Sequence, residues 1–115
     1  MLLRKFAGWT GTVLPLAGCL MVATWVVLPA MAQDPGQDLF LHKCAVCHAK
    51  DGSGNTVKGK RLKVKDVHDN VGKDSEEKMI DVVVNGKGED MDSYKKELSK
   101  EQIQSLVKYY RSLAK

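Results

Sequence analysis

Cys44-Ala45-Val46-Cys47-His48 places two thiols and an imidazole within one short run. Residues three and four apart share a helix face, so on a helix all three side chains project from one side of a single turn. CxxCH is the attachment signature of c-type haem: each thiol can form a thioether to a vinyl group, and the imidazole can reach the iron as proximal ligand. Three other readings of the run are weaker. A thioredoxin-like redox pair needs a preceding buried strand, whereas the residues before Cys44 look helical. A zinc site needs four ligands, and the remaining imidazoles, His42 and His68, complete no recognised spacing. A disulfide between Cys44 and Cys47 would leave the adjacent His48 unexplained.

The 115 residues allow one domain at most. Arg4 and Lys5 form a basic start, no charged residue follows from Phe6 to Ala32, and Ala30-Met31-Ala32 is a small-x-small cleavage pattern. Residues 1–32 therefore read as a secretory signal peptide cut after Ala32, leaving a monohaem domain over residues 33–115. The apolar stretch is also long enough to span a bilayer as an uncleaved anchor. Leu16-Ala17-Gly18-Cys19 offers a third fate, lipidation at Cys19, although the residues after it stay apolar where a polar tether is expected. All three fates place the domain outside the cytoplasm, in the periplasm or on the outer face of the membrane. Membrane contact is expected only if the leader stays uncut or lipidated.

Removing the leader takes the odd Cys19, so the domain keeps only the two motif thiols and no disulfide framework. It also takes two of the 18 basic residues and no acidic one, halving the net charge of +4, which argues against a nucleic-acid partner. A domain of this size has a marginal core of its own, so a buried porphyrin is expected to complete it and the apoprotein to be largely unfolded. Charge is unevenly spread: Lys58, Lys60, Arg61, Lys63 and Lys65 crowd one segment, and acidic residues from Asp74 to Asp92 follow.

Asp34-Pro35-Gly36 leads into a first helix expected from about Gln37 to His48. Here the chain resembles the class I cytochrome c family, of the short bacterial kind. Gly36 and Phe40 before Cys44 match the family's GxxxF, and Leu106 with Tyr109 match its LxxY, from Gly36 to Leu113 in the correct order. The resemblance implies an all-α cytochrome c fold, about three main helices plus a short one, wrapped around a single covalently bound haem c. In that fold the glycine lets the last helix cross close to the first, and the aromatics pack in the crossing.

From Ala49 to Lys65 the chain is polar and glycine-rich, a loop by its turn chemistry. Asp51, Ser53 and Asn55 hint at an EF-hand, but Thr56 and Leu62 stand where its glycine and glutamate belong. A phosphate loop fails on spacing and on the missing strand. In the resembled family this segment covers the His side of the haem, and a loop proline accepts the proximal His Nδ1 proton. No proline follows Pro35 here, so another carbonyl near Val57 to Gly59 is expected to orient His48.

A short helix is expected at about Val64 to Val71, with His68 exposed on it. A second clear helix follows, with Asp74 and Glu77 as a capping box, an apolar stripe of Met79, Ile80, Val83 and Val84, and a stop at Asn85-Gly86. Met79 reads as core. Gly86-Lys87-Gly88-Glu89-Asp90-Met91-Asp92-Ser93-Tyr94 then holds a methionine among charges, with no packing reason for it. Met91 reads as a distal axial ligand, its soft sulfur on iron, and the loop matches the family's NGkgxMPxF. Asp92 replaces the proline of that pattern, a departure expected to loosen the loop and weaken the iron–sulfur bond. Ser99 and Gln102 make a capping box for the last helix, with Leu98 and Ile103 as its staple.

With His48 and Met91 on iron, both axial positions are closed, which points to an electron carrier between redox protein partners and not to an enzyme. The lysine-rich segment would steer an acidic docking face. Two alternatives stay open: a haem-based sensor or peroxidase-like protein with an open distal site, and a cytochrome subunit of a larger dehydrogenase or oxidase.

Overall fold

The computed structural model describes residues 32–115, together with Gly11 and Val26. The leader expected over residues 1–32 lies outside the described residues apart from these and Ala32. Among the described residues no helix is long and apolar enough to cross a membrane.

The domain is helical, with six helices and no strand among the described residues: α1 (Pro35–Lys43), α2 (Ala45–His48), α3 (Val57–Arg61), α4 (Val67–Lys73), α5 (Glu76–Asn85) and α6 (Lys100–Ser112). The longest three, α1, α5 and α6, are the main helices that the resemblance implies, and the short ones fill the connections between them.

α1 starts where Asp34 Oδ1 accepts the Gly36 amide at 2.9 Å, and Pro35 sits where a missing N–H costs nothing. Cys44, at φ −112° and ψ −35°, is the C-cap of α1 and the N-cap of α2, so the single helix expected to His48 is split there. The hydrogen-bond ladder still runs through the break, from the Cys44 amide to Phe40 O and from the His48 amide to Cys44 O, both at 2.9 Å.

α6 packs against both α1 and α5. A Cβ built on Gly36 would lie 2.1 Å from the Ser105 carbonyl oxygen, so the two backbones touch at the crossing. Beside it Phe40, 1% exposed, meets Tyr109 with ring centroids 5.5 Å apart. The expected crossing of Gly36 and Phe40 with Leu106 and Tyr109 is thus present. Ser99 caps α6 with the full reciprocal box, Gln102 amide to Ser99 Oγ at 3.1 Å and Ser99 amide to Gln102 Oε1 at 2.8 Å, and Leu98 and Ile103 are both in the core.

Three local expectations are corrected. The stretch from Ala49 to Lys65 is not all loop, because Thr56 caps α3 by accepting the Gly59 amide at 2.8 Å. The next helix begins at Val67 and not Val64, where Asp66 Oδ1 accepts the His68 amide at 2.8 Å. The N-cap of α5 is Ser75 and not Asp74. Asp74 ends α4 instead, with its amide on Asn70 O at 2.8 Å, while Ser75 Oγ accepts the Lys78 amide at 3.2 Å.

Candidate prosthetic-group site

α1, α2, α5 and α6 enclose a cleft of about 480 Å³, in the range of ordinary cofactor pockets, about 300–1,000 Å³. Cys44, Cys47, His48 and Met91 all line it. The four residues singled out in the sequence, 47 positions apart at the extremes, therefore face one space.

On the α2 side Cys44 is buried and Cys47 half-buried. Burial, with the Cys47 charge adding, pushes the Cys44 thiol up to about 11 against the pull of Lys43. Burial also holds His48 below its ordinary value, which keeps the imidazole neutral and able to ligate. The His48 ring lies edge-on to Tyr110 at 5.3 Å and 6.5 Å from Phe40. Its Nδ1 is buried and has no hydrogen-bond partner among the described residues, so the expected backbone carbonyl near Val57 to Gly59 is not in place.

The opposite wall is the segment after α5. Here the loop is tied back to the end of the helix. The last carbonyls of a helix have no partner within it, and three consecutive ones are taken by the loop. Val82 O accepts the Gly86 amide at 2.7 Å, Val83 O the Tyr94 amide at 3.0 Å, and Val84 O the Ser93 hydroxyl at 2.5 Å. Lys87 N also donates to Met91 O at 2.8 Å, closing the turn that carries Met91. Tyr94 Oη reaches Lys43 O at 3.4 Å and Lys43 Nζ pairs with Glu97 at 3.2 Å, tying this wall to α1.

The floor is apolar. Phe40, Met79, Val83, Leu106, Val107 and Tyr110 belong to the core and also line the cleft. Met79 is core as expected, and it faces the cleft as well. His42 and His68 are exposed, paired with Asp38 at 3.4 Å and Asp66 at 2.7 Å, and neither lines the cleft. Asn70 and Tyr110 also line the cleft, a role the sequence did not give them. Asn70 Nδ2 donates to the Tyr110 hydroxyl at 2.8 Å, a pair separated by 40 residues.

The donor set tests the fit of a porphyrin. A flat apolar group would complete the six core residues, while two thiols and a half-buried neutral imidazole stand on one wall and a thioether on the other. These residues fit the group.

A helical shell closed around such a cleft defines a protein that holds a large, flat prosthetic group. The family model described as cytochrome C oxidase, cbb3-type, subunit III matches residues 31–109. Cytochrome c6 of Leptolyngbya boryana is 42% identical over 64% of this chain and 84% of its own length. A cytochrome c6-like protein of Nostoc sp. is 35% identical over 84% of this chain and 86% of its own. The solved KustC0563 c-type cytochrome superposes with a TM-score of 0.65 at 30% identity, covering 70% of this chain and 98% of that one. The chain belongs to the class I c-type cytochromes, small electron-carrying proteins with covalently bound haem c.

Proposed function

We propose that the protein carries single electrons through one haem c held by Cys44, Cys47, His48 and Met91. The observation that carries this reading is that Met91, on a loop of charged residues, turns into the same cleft as His48. The haem iron, when bound, supplies a one-electron ferric–ferrous couple. Cys44 and Cys47 would hold it through thioethers, and His48 Nε2 and Met91 Sδ would ligate the iron. With both positions filled by protein there is no open coordination site for a substrate, so the protein is not an enzyme. Methionine ligation raises the reduction potential, which suits a high-potential carrier.

The leader supports export to the periplasm, with attachment to the outer face of the membrane if residues 1–32 remain. The partners are redox proteins with an acidic docking face. Lys58, Lys63 and Lys65 line the cleft's mouth beside Val46, 61% exposed, and basic residues there accelerate encounter with carboxylate-rich surfaces. A second reading, a cytochrome subunit of a larger oxidase, is favoured by the description of the matching family model. Purification of the native protein from its membranes, alone or with a multi-subunit oxidase, separates the two.

The test of the ligand set compares the ferric spectrum of wild-type holoprotein with that of Met91→Ala. A weak long-wavelength sulfur-to-iron charge-transfer band, lost in the variant, supports the carrier. A wild type without the band that binds carbon monoxide or cyanide readily would move sensing or peroxide chemistry ahead.

A further inference from the structure

One hydroxyl joins three parts of the His48 wall. Thr56 Oγ1 lies 2.8 Å from the Val46 carbonyl oxygen and 3.2 Å from that of Cys47, sharing its proton between them, and accepts the Gly59 amide at 2.8 Å. Both carbonyls fall in the last turn of α2, where no further helix exists to satisfy them. The third carbonyl of that turn, His48 O, accepts the Gly54 amide at 2.8 Å. Three consecutive carbonyls of the CxxCH run are thus held from one short loop.

The loop sits close enough that few rearrangements are open to it. A Cβ on Gly59 would meet Cys47 O at 2.2 Å, Gly54 O at 2.3 Å and Thr56 Oγ1 at 2.9 Å. By contrast, the His48 ring has no hydrogen bond of its own at its buried Nδ1. A metal-ligating imidazole ordinarily has its other nitrogen held by a carboxylate, a carbonyl or water, and that contact fixes its orientation. Here the backbone beneath the ring is held in its place.

Resting on the reading of His48 as axial ligand, we propose that Thr56 is a positioning residue for it. The hydroxyl fixes the turn that carries the imidazole, and so the direction in which the ring enters the cleft. A chain with no proline in this loop obtains by a side-chain hydroxyl the fixation it lacks at Nδ1. Loss of the hydroxyl leaves two carbonyls seeking a donor, and water entering to serve them stabilises the more highly charged ferric state, because solvent exposure tunes the couple.

The test uses holoprotein of wild type, Thr56→Ser and Thr56→Val, with two readouts: reduction potential by spectroelectrochemical titration, and solvent exchange of the His48 Nδ1 proton in the ferrous state by NMR. Thr56→Ser is expected to match wild type. Thr56→Val, equal in size but without the hydroxyl, is expected to lower the potential and speed the exchange about tenfold, the scale of one lost hydrogen bond. Thr56→Ala serves as a second variant should the valine fail to mature. Hydroxyl-free variants matching wild type in both readouts overturn the proposal, as does a serine variant that behaves like valine. Should the His48 ring protons show no hyperfine shift in ferric wild type, the ligand reading itself fails, whatever Thr56 does.

Discussion

Gly36 and Ser105 touch backbone to backbone: a methyl group on Gly36 would stand 2.1 Å from the Ser105 carbonyl oxygen. No flexible side chain is there to yield, so Gly36→Ala must push α1 away from α6 and loosen the Phe40–Tyr109 contact beside it. Overpacking of this kind costs about 1–3 kcal/mol. Urea unfolding of the holoprotein should show a lowered midpoint with the slope unchanged, and a midpoint equal to wild type would mean the crossing is slack.

Removal of the prosthetic group should remove the fold. Phe40, Met79, Val83, Leu106, Val107 and Tyr110 line the cleft from within the core, and burying such a side chain fully is worth about 1.5–3 kcal/mol each. The six are at most 9% exposed, so what the group adds is the packing on their cleft side, contacts that an unfilled space forfeits, against a whole stability of about 5–15 kcal/mol for a small domain. The double variant Cys44→Ala with Cys47→Ala, produced without haem, should lack most of the holoprotein's far-UV helical signal and show no cooperative melt. A sharp transition in that variant would show that the shell stands by itself.

The CxxCH half of the site was legible because it rests on short-range pattern, whereas the crossing of Gly36 and Phe40 with Leu106 and Tyr109 was legible only through the resemblance to the class I cytochromes c. Cys44, Cys47 and His48 are fixed on one face by helical spacing, and Ser99 with Gln102 satisfies orphan amides within one turn. What was not legible depends on competition or on distance. Asp74 and Ser75 are both good N-caps, and the choice falls to Ser75 because Asp74 closes α4. Thr56 looks like loop until its hydroxyl meets the carbonyls of Val46 and Cys47. The Asn70–Tyr110 bond joins residues that no local period connects, and the anchoring of the Met91 loop resides in Ser93 and Tyr94 bonding back to Val84 and Val83.

Tyr110 sets an alkaline limit. Burial raises its ionisation above the ordinary value of 10.0, with the Asn70 hydrogen bond pulling the other way. A neutral acid held protonated by the fold contributes stability that is fully present below the unfolded value and is lost as pH rises, because only the unfolded chain then releases the proton. Holoprotein stability should therefore decline above pH 10.0. Tyr110→Phe should flatten that part of the decline while losing about 0.5–1.5 kcal/mol at neutral pH from the broken bond to Asn70. Chemical denaturation at neutral and alkaline pH measures both, and equal slopes in the two proteins would exclude Tyr110 as the titrating group.

The basic rim should act on rate more than on affinity. Lys58, Lys60, Arg61, Lys63 and Lys65 are all exposed, so each is screened within about 8 Å at physiological salt and does little for the fold. The opposite rim carries Glu89, Asp90 and Asp92, which would repel the same acidic partner and so orient its approach toward Val46 and the Cys47 side. Electron-transfer rates with an acidic redox protein should fall steeply as ionic strength rises. Charge reversal at Lys58 and Lys65 should lower the low-salt rate at least about tenfold, the smaller end of electrostatic steering, and leave the high-salt rate and the melting temperature near wild type. Stopped-flow mixing across a salt series reads this directly, and a rate independent of salt would assign docking to another face.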